Sequence, residues 1–439
     1  MAASTIPNVR MLVQYRPILQ QRPRLATLPG AVLLVWLSAV MVLDWWLPDG
    51  AGSRAVPHAL RLGLVVLLCV YCVGQLRTLS RSRVAWFQLL WLVFMCVSFV
   101  STDYLDSASA LYVGYYALWI VVFWGAYCLS ANCHLTPRQV ALAGTVLNAV
   151  TCVYDILFIY LGRRPGQPYA PVSTNPFSLG EAYVLLWFLL MQVLAPIRAS
   201  GAVVALTSIV VVIFGLERGA FISMLLGLLV YTSVQAYIRP RSKKRGIKWL
   251  VPTLLAVGLA CYLTVGGMIA RWADLSNPAI AGSGRLRFWT VIFNDWSNAD
   301  AATKLFGSGP RTVQMLLGPS VVFAHNDFLE QLHCFGLLGA VLFIGVCAAM
   351  LRECYLLVKL RSTHADVFCA ATAVFISTGL YCIASYATST VWFSVAAGVA
   401  LGTGRRQRYV CGPGRFRLFA VRELHENPLL RQLGSRPSR

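Results

Sequence analysis

The chain has 439 residues, of which 58% are hydrophobic and only 12% are charged. Soluble domains carry roughly a quarter of charged residues, so a soluble globular enzyme, a disordered chain and a secreted disulfide scaffold are excluded. The 13 Cys are odd in number and fall almost entirely within apolar runs, which predicts no disulfide framework. The net charge of +21 is better explained by positive-inside topology than by nucleic-acid binding.

Apolar runs long enough to cross a bilayer recur from residue 26 to residue 402. A spanning helix needs about 20 apolar residues, and backbone in lipid must satisfy its own hydrogen bonds. The sequence therefore predicts an all-α, polytopic membrane protein with about twelve transmembrane helices. The predicted spans are 26–48, 57–76, 84–102, 108–130, 139–161, 181–197, 200–216, 219–237, 249–268, 334–351, 364–385 and 388–403.

These spans divide the chain into two tails, two groups of spans and one long outer loop. We predict an N-tail over 1–25, nine spans over 26–268, an outer loop over 269–333, three spans over 334–403 and an Arg-rich C-tail over 404–439. The first apolar run has full spanning length and predicts a start-transfer anchor rather than a cleaved signal peptide.

An even number of spans puts both termini on one side of the membrane. With the N-terminus in the cytoplasm, most of the 37 Lys and Arg lie in inner segments, as the positive-inside rule requires. The C-tail is then expected to contact anionic lipid headgroups, without a role for nucleic acid.

Some basic residues lie on the predicted outer side, against this bias. Almost all of them are Arg, whose planar fork of donors suits phosphate oxygens. A phosphorylated lipid substrate at the membrane surface would require such a cluster. Pairing with outer acids or lipid headgroups is the preferred interpretation for Arg54, Arg61, Arg271 and Lys304.

Arg218 stands between two apolar runs with almost no loop, in the segment Gly215–Ala220 (GLERGA). A charge in that position is costly without a partner, so Arg218 is a candidate functional residue. Glu217 is the alternative partner, although adjacent residues do not face each other on a helix.

The segment Ala324–Leu332 (AHNDFLEQL) precedes predicted span ten and has apolar residues at helical spacing. We place His325 one turn before Leu329 on the same side of this helix, where a neutral imidazole can accept a proton. Asn326, Asp327 and Glu330 are candidate orienting groups or helix-start residues. A purely structural His325 remains the alternative. His333 lies two turns further on, too far for shared metal ligation, so no metal site is predicted.

Several segments resemble the O-antigen ligase and polymerase superfamily of bacterial envelope glycosyltransferases. His325–Glu330 (HNDFLE) and Phe335–Gly339 (FGLLG) resemble its His-Asn-x-aromatic-Leu-Glu segment and the following Gly-x-x-Gly. Glu217–Ala220 (ERGA) resembles its Arg-Gly junction, and Gly284–Trp289 (GRLRFW) resembles its Gly-Arg…Trp stretch. Arg163 and Arg164, followed by Asn175-Pro176, resemble its Arg…Asn-Pro element. These segments follow the family's order over roughly residues 160–345.

The resemblance implies a GT-C-like fold with a large periplasmic loop between spans nine and ten. It implies an O-antigen ligase that transfers O-antigen from undecaprenyl diphosphate to a lipid A–core sugar at the periplasmic face of the bacterial inner membrane. The transfer is inverting, and neither a metal nor another cofactor is expected. Two alternatives remain: an O-antigen polymerase, with the same donor and a lipid-linked glycan as acceptor, and a transporter of the lipid-linked glycan.

The resemblance also implies a role for each site residue. Arg218 and one or both of Arg285 and Arg287 bind the diphosphate of the donor. His325 acts as general base on the acceptor hydroxyl. Asn326, Asp327 and Glu330 orient His325 or the sugar. Arg163 or Arg164 assists, or binds phosphates of the acceptor core.

Overall fold

The computed structural model describes residues 28–46, 55–102, 106–160, 218–238, 285–318, 324–362, 364–381 and 388–411. Over these residues the regular secondary structure is helical and includes no strand, which confirms an all-α protein. Four helical stretches among them are long and apolar enough to cross a membrane. They are Val56–Val73, Arg83–Val100, Ser107–Ala131 and Asp327–Lys359.

The described helices are numbered here in chain order. They are α1 (Leu28–Trp46), α2 (Ala55–Gly74), α3 (Leu76–Leu79), α4 (Arg83–Val100), α5 (Ser107–Ala131), α6 (Pro137–Tyr160), α7 (Arg218–Ile238), α8 (Arg285–Asn298), α9 (Ala301–Phe306), α10 (Thr312–Leu317), α11 (Asp327–Lys359), α12 (Ala365–Tyr381) and α13 (Thr388–Cys411). Each long helix overlaps a run predicted as a span. The predicted spans 181–197, 200–216 and 249–268 lie outside the described residues, as does the N-tail.

Short polar side chains start several of these helices. The Asp106 carboxylate accepts a hydrogen bond from the Ser109 N–H at 2.6 Å and so caps α5. The Ser82 hydroxyl accepts one from the Ala85 N–H at 3.3 Å and caps α4. Each cap satisfies a backbone donor that has no partner within the helix.

The helix α5 is the central element of the described bundle and is buried over most of its length. It packs most closely against α13, where two glycines one turn apart let the backbones meet. A Cβ atom added at Gly398 would lie 2.8 Å from the Phe123 carbonyl oxygen, and one at Gly402 would lie 2.6 Å from the Tyr127 carbonyl oxygen. Small residues at this spacing allow close helix packing in lipid, where burial of apolar surface gives no drive for association.

The helix α11 is broken at Gly336, whose φ of 64° is left-handed. The carbonyl groups of His333 and Cys334 accept hydrogen bonds from the N–H groups of Ser308 and Gly309 at 3.0 and 2.9 Å. Backbone groups near the break are thus satisfied by the loop after α9. The break divides α11 into a short segment over 327–335 and a long apolar segment over 337–359.

At one end of the bundle, the termini of helices that are distant in sequence lie close together. The Ser377 hydroxyl donates to the Ser223 hydroxyl at 2.9 Å, so α7 begins where α12 ends. Tyr112 near the start of α5 donates to Glu330 near the start of α11 at 2.7 Å. We call this end the site end. The predicted alternation of spans puts all of these termini on the outer side.

The opposite end carries basic side chains and is called the basic end. Arg405 of α13 binds the Glu353 carboxylate of α11 and the Arg81 carbonyl group before α4. The Lys and Arg residues in or near the helix termini of this end include Arg77, Arg81, Arg83, Arg138, Arg352, Lys359, Arg361, Arg405 and Arg406.

Part of the predicted outer loop over 269–333 folds into helices. The described portion forms α8, α9 and α10, which pack on the short segment of α11. The helix α11 starts at Asp327, as the helical spacing of the apolar residues from 328 onward predicted, and continues into the span predicted from 334. Asn326 caps it seven residues earlier than hydropathy suggests, because the first turn is polar and buried.

Replacing Gly336 with Ala tests the break in α11. The new Cβ would lie 2.5 Å from the Gly307 backbone nitrogen and would occupy a left-handed conformation. We expect the free energy of unfolding to fall by about 2 kcal/mol or more. The measurement is the melting temperature of the purified protein in detergent.

Gly114→Ala in α5 is the matched control, because no atom lies within 4 Å of its added Cβ. We expect its melting temperature to stay the same or rise, since Ala favours helix over Gly. A Gly336→Ala protein as stable as the Gly114→Ala protein would contradict this account of the break.

Candidate active site at the start of α11

His325 lies in a turn directly before α11, half-buried at the site end. Its φ of 52° is left-handed, a conformation that is uncommon for a residue other than glycine. The sequence placed His325 on the helix, and here that prediction is wrong. The Asn326 side chain accepts from the N–H groups of Phe328 and Leu329 at 3.0 and 3.1 Å and ends the helix there. His325 is therefore presented by a capped turn.

Both backbone groups of Ala324, the residue before His325, are held by side chains. The Glu330 carboxylate accepts from the Ala324 N–H at 2.7 Å. The Trp289 indole N–H of α8 donates to the Ala324 carbonyl oxygen at 2.8 Å. The first turn of α11 and a separate helix thus fix the backbone at one side of His325.

A chain of buried donors runs through the bundle to the Glu330 carboxylate. Trp91 donates to the Gln331 amide oxygen at 2.9 Å, and the Gln331 amide donates to the Tyr116 hydroxyl at 3.1 Å. Tyr112 donates to Glu330, so the hydrogen of its 3.1 Å contact with Tyr116 belongs to Tyr116. Every donor in this chain points toward Glu330. Aligned hydrogen bonds of this kind strengthen one another in a low-dielectric interior.

Glu330 therefore acts on His325 through the backbone. Its side chain is fully buried and accepts hydrogen bonds from the Ala324 N–H, the Tyr112 hydroxyl and the Cys334 thiol. The sequence proposed Glu330 as a group that orients the imidazole or the sugar. The structure gives it a backbone contact next to His325 instead.

Asn326 and Asp327 tie the same turn to the end of α12. The Asn326 amide donates to the Leu380 carbonyl oxygen at 3.3 Å. Asp327 is fully buried against Gly379, where an added Cβ would lie 3.0 Å from the carboxylate oxygen. Both residues therefore contact the helix that runs beside α7. We predicted orienting roles for them, and these contacts are consistent with orienting the turn.

Of the two predicted loop arginines, Arg285 is the one near His325. Arg285 is half-buried at the start of α8, one turn before Trp289 and so on the same face of that helix. Burial, and then the positive charge of Arg285, lowers the pKa of His325 to about 4. Arg287 is exposed on a different face of α8. Because of this lowered pKa, the His325 imidazole is neutral at neutral pH, and its unprotonated nitrogen can accept a hydrogen bond.

A second histidine holds α8 in place. The Nε2 atom of His333 lies 2.9 Å from the Asp295 carboxylate of α8, and its Nδ1 atom lies 3.2 Å from the Thr312 hydroxyl of α10. His333 is buried, whereas Asp295 is about half exposed. This contact joins α8, α10 and α11, and with Ile292 it positions the helix that carries Arg285 and Trp289.

Of the three remaining predicted arginines, the structure describes the position of Arg218 only. The helix α7 begins at Arg218, at the end of the bundle where α12 ends and where α11 begins. Arg163 and Arg164 lie outside the described residues. Within the described ranges, no three His, Cys, Asp or Glu side chains are grouped so that they could hold a metal ion.

Three residues that position the site were not singled out from the sequence. They are Tyr112, Trp289 and Asp295. Trp289 belongs to the Gly284–Trp289 segment, so that pattern was available as a signal. Tyr112 is a tyrosine within an apolar span, and nothing local distinguishes it from a packing residue.

Comparisons with known proteins give no relative for this site. No protein-family profile matches the chain, and no curated protein matches it significantly.

Replacing Glu330 with Ala would leave the Ala324 N–H and the Tyr112 hydroxyl without their partner. Each buried group left unsatisfied costs about 1–3 kcal/mol, so we expect a clear drop in the melting temperature. Glu330→Gln keeps one acceptor oxygen, so its melting temperature should lie between those of wild type and Glu330→Ala. Equal melting temperatures for Glu330→Ala and wild type would disprove the proposed dependence on this carboxylate.

Replacing Asp295 with Ala would remove the acceptor that His333 faces on α8. We expect faster amide hydrogen exchange over 285–298, measured by mass spectrometry, because α8 loses one of its fixed contacts. Asn294→Ala is the control, since Asn294 is exposed on the same helix. Unchanged exchange in Asp295→Ala would mean that the other contacts of α8 suffice.

Proposed function

We propose that this protein is a glycosyltransferase of the bacterial inner membrane that joins O-antigen from undecaprenyl diphosphate to a lipid A–core sugar at the periplasmic face. The observation that supports it most is the pairing of a neutral, half-buried His325 with the Arg285 cation at the site end of an apolar helical bundle. A proton acceptor beside a cation suits attack by a hydroxyl on a carbon that carries a diphosphate.

His325 serves as the general base in this proposal. It takes the proton from the acceptor hydroxyl as the oxygen attacks the anomeric carbon from the face opposite the diphosphate. The bond between that carbon and the diphosphate oxygen breaks, and the electron pair leaves with the diphosphate. The configuration at the anomeric carbon inverts. General-base catalysis typically contributes about 10²–10⁴-fold in rate.

Arg285 stabilises the negative charge that grows on the departing diphosphate, with Arg218 as a second cation. A fixed positive group near developing charge is often the largest catalytic contribution. Arg285 is held for this by Trp289 and Asp295, which dock α8 on the His325 turn and on α11. Arg218 begins α7 at the same end. Arg287 is the alternative ligand of the diphosphate, and Arg163 or Arg164 assists or binds phosphates of the acceptor core.

The charge pattern of the bundle supports the proposed orientation. Basic residues at the helix termini concentrate at the basic end, which the positive-inside rule assigns to the cytoplasm. The site end then faces the periplasm, with both chain termini in the cytoplasm. A donor lipid in the outer leaflet would meet His325 at the membrane surface.

The direct test is transfer by the purified full-length protein with lipid-linked O-antigen and rough lipopolysaccharide, with and without a chelator. We expect an O-antigen ladder on the lipopolysaccharide in both conditions. His325→Ala and Arg285→Ala should each lower the rate about 10²-fold or more, as losses of a base or of a charge-stabilising group do. Lys304→Ala is the control and should retain the rate, because Lys304 lies on α9, a helix that carries none of the proposed site residues.

The other outcomes separate the alternatives. Longer chains on the lipid carrier, with none on the lipopolysaccharide, would identify a polymerase. Loss of the ladder with chelator would require a metal. Full activity in His325→Ala would refute the base assignment, and absence of transfer to any acceptor would favour a transporter.

The pH profile gives an independent test. Because the pKa of His325 is lowered to about 4, the base remains deprotonated well below neutrality. We expect the acid limb of kcat/KM to have its midpoint near 4. Arg285→Gln removes a positive charge that lowers this pKa, so the midpoint of the acid limb should move upward. Burial still holds the pKa of His325 below the ordinary value for histidine. An acid limb near pH 6.5 in wild type would contradict the environment described for His325.

A further inference from the structure

A groove lies between the site end of α4 and the α9 segment. Its volume is about 330 Å³. It is lined on one side by Phe94, Val97, Ser98 and Ser101, and on the other by Thr303, Phe306 and the glycine-rich loop after α9. We call it the α4–α9 groove. It is large enough for a sugar-sized group, and it opens beside an apolar helix.

The groove changes in polarity along α4. Its apolar residues, Phe94 and Val97, come before the hydroxyl residues Ser98 and Ser101 and so lie deeper in the apolar helix. Val97 is exposed, as is Val93 one turn earlier. The apolar face of α4 therefore continues into the groove. A lipid chain lying along Val93 and Val97 would bring its headgroup to the serines.

The hydroxyl groups of the groove present acceptors. Ser101 donates its hydrogen to the Val97 carbonyl oxygen at 2.9 Å, and Thr303 donates its hydrogen to the Asp300 carboxylate at 2.8 Å. The lone pairs of both hydroxyl oxygens can then accept hydrogen bonds from a ligand. A headgroup that offers hydroxyl donors matches this arrangement.

Charge around the groove disfavours a phosphate. None of the described residues that line it is charged. Asp300 contacts Thr303, and the N–H of Thr303 lowers the pKa of that carboxyl. Asp106 lies beyond Thr102, and the N–H of Ser109 lowers its pKa. Arg311 is engaged by Asp106 at 3.1 Å and by Gln314. Asp300 and Asp106 lie beside residues that line the groove, Arg311 is paired with Asp106, and Lys304 of α9 is not among the described lining residues.

We propose that the α4–α9 groove binds a membrane lipid with an uncharged, hydroxyl-rich headgroup, such as a glycosyl diacylglycerol. The chain lies along Val93 and Val97 on α4, and the headgroup donates hydrogen bonds to Ser101 and Thr303. This site does not depend on the proposed transfer reaction. The groove lies between α4 and α9, whereas the His325 turn lies between α8 and α12.

Photo-crosslinking to the purified full-length protein in nanodiscs tests this site. Two probes with the same diazirine-bearing chains are compared: a glucosyl diacylglycerol and a phosphatidic acid. We expect the glucosyl lipid to label peptides covering 94–102 and 302–309 about tenfold more than the phosphatidic acid does. Equal or stronger labelling by the phosphatidic acid would overturn the choice of an uncharged headgroup.

Tryptophan substitutions at two exposed valines locate the site. Val97→Trp fills the groove and should reduce labelling by the glucosyl lipid about tenfold. Val70→Trp on α2 is the matched control, because Val70 is similarly exposed on an apolar helix and does not line the groove. Equal labelling of wild type and the two variants would mean general lipid contact and would refute the groove.

If the Val97→Trp protein does not fold, a smaller change in the groove tests the same proposal. The double variant Ser98→Ala, Ser101→Ala keeps the volume of the groove and removes two hydroxyl acceptors. We expect it to abolish the preference for the glucosyl lipid over the phosphatidic acid while the melting temperature stays close to wild type. A preference that persists in this variant would contradict hydroxyl recognition.

Discussion

The Glu330 carboxylate is the contact on which the candidate site depends. It lies fully buried in the first turns of α11. It accepts from the Tyr112 hydroxyl and from the Ala324 N–H, and so connects the central helix α5 to the turn that carries His325. The left-handed backbone of His325 is tolerated because the residues on both sides of it are held.

The rest of the site is built by docking α8 on that turn. Trp289 and Asp295 each contact a different part of the α11 region, so α8 is fixed at two points along its length. Fixing α8 places Arg285 beside His325, which helps to keep the imidazole neutral. The break at Gly336 supports this arrangement, because the carbonyl groups before it accept from the loop after α9.

The two ends of the bundle differ in what their charges do. At the basic end, Arg405 is buried against Glu353, and a buried ion pair of this kind is strongly destabilising to break. At the site end, His325 and Arg285 are only half-buried and lie near the surface. The Arg285 guanidinium therefore keeps contact with solvent, whereas the Arg405 guanidinium is enclosed between helices. The α4–α9 groove also opens at the site end, next to an apolar face.

Composition and hydropathy alone determined that the chain is an all-α membrane protein, because backbone in lipid has few other options. Local pattern and the family resemblance also predicted His325, Arg285 and Glu330 as site residues, since His325 and Glu330 stand in a polar segment directly before an apolar run. Only the tertiary structure decided that Arg285 rather than Arg287 lies beside His325, because helical phase depends on where α8 docks. It also decided that Glu330 acts through Ala324 and Tyr112, because α5 is remote in sequence and no local pattern encodes that contact.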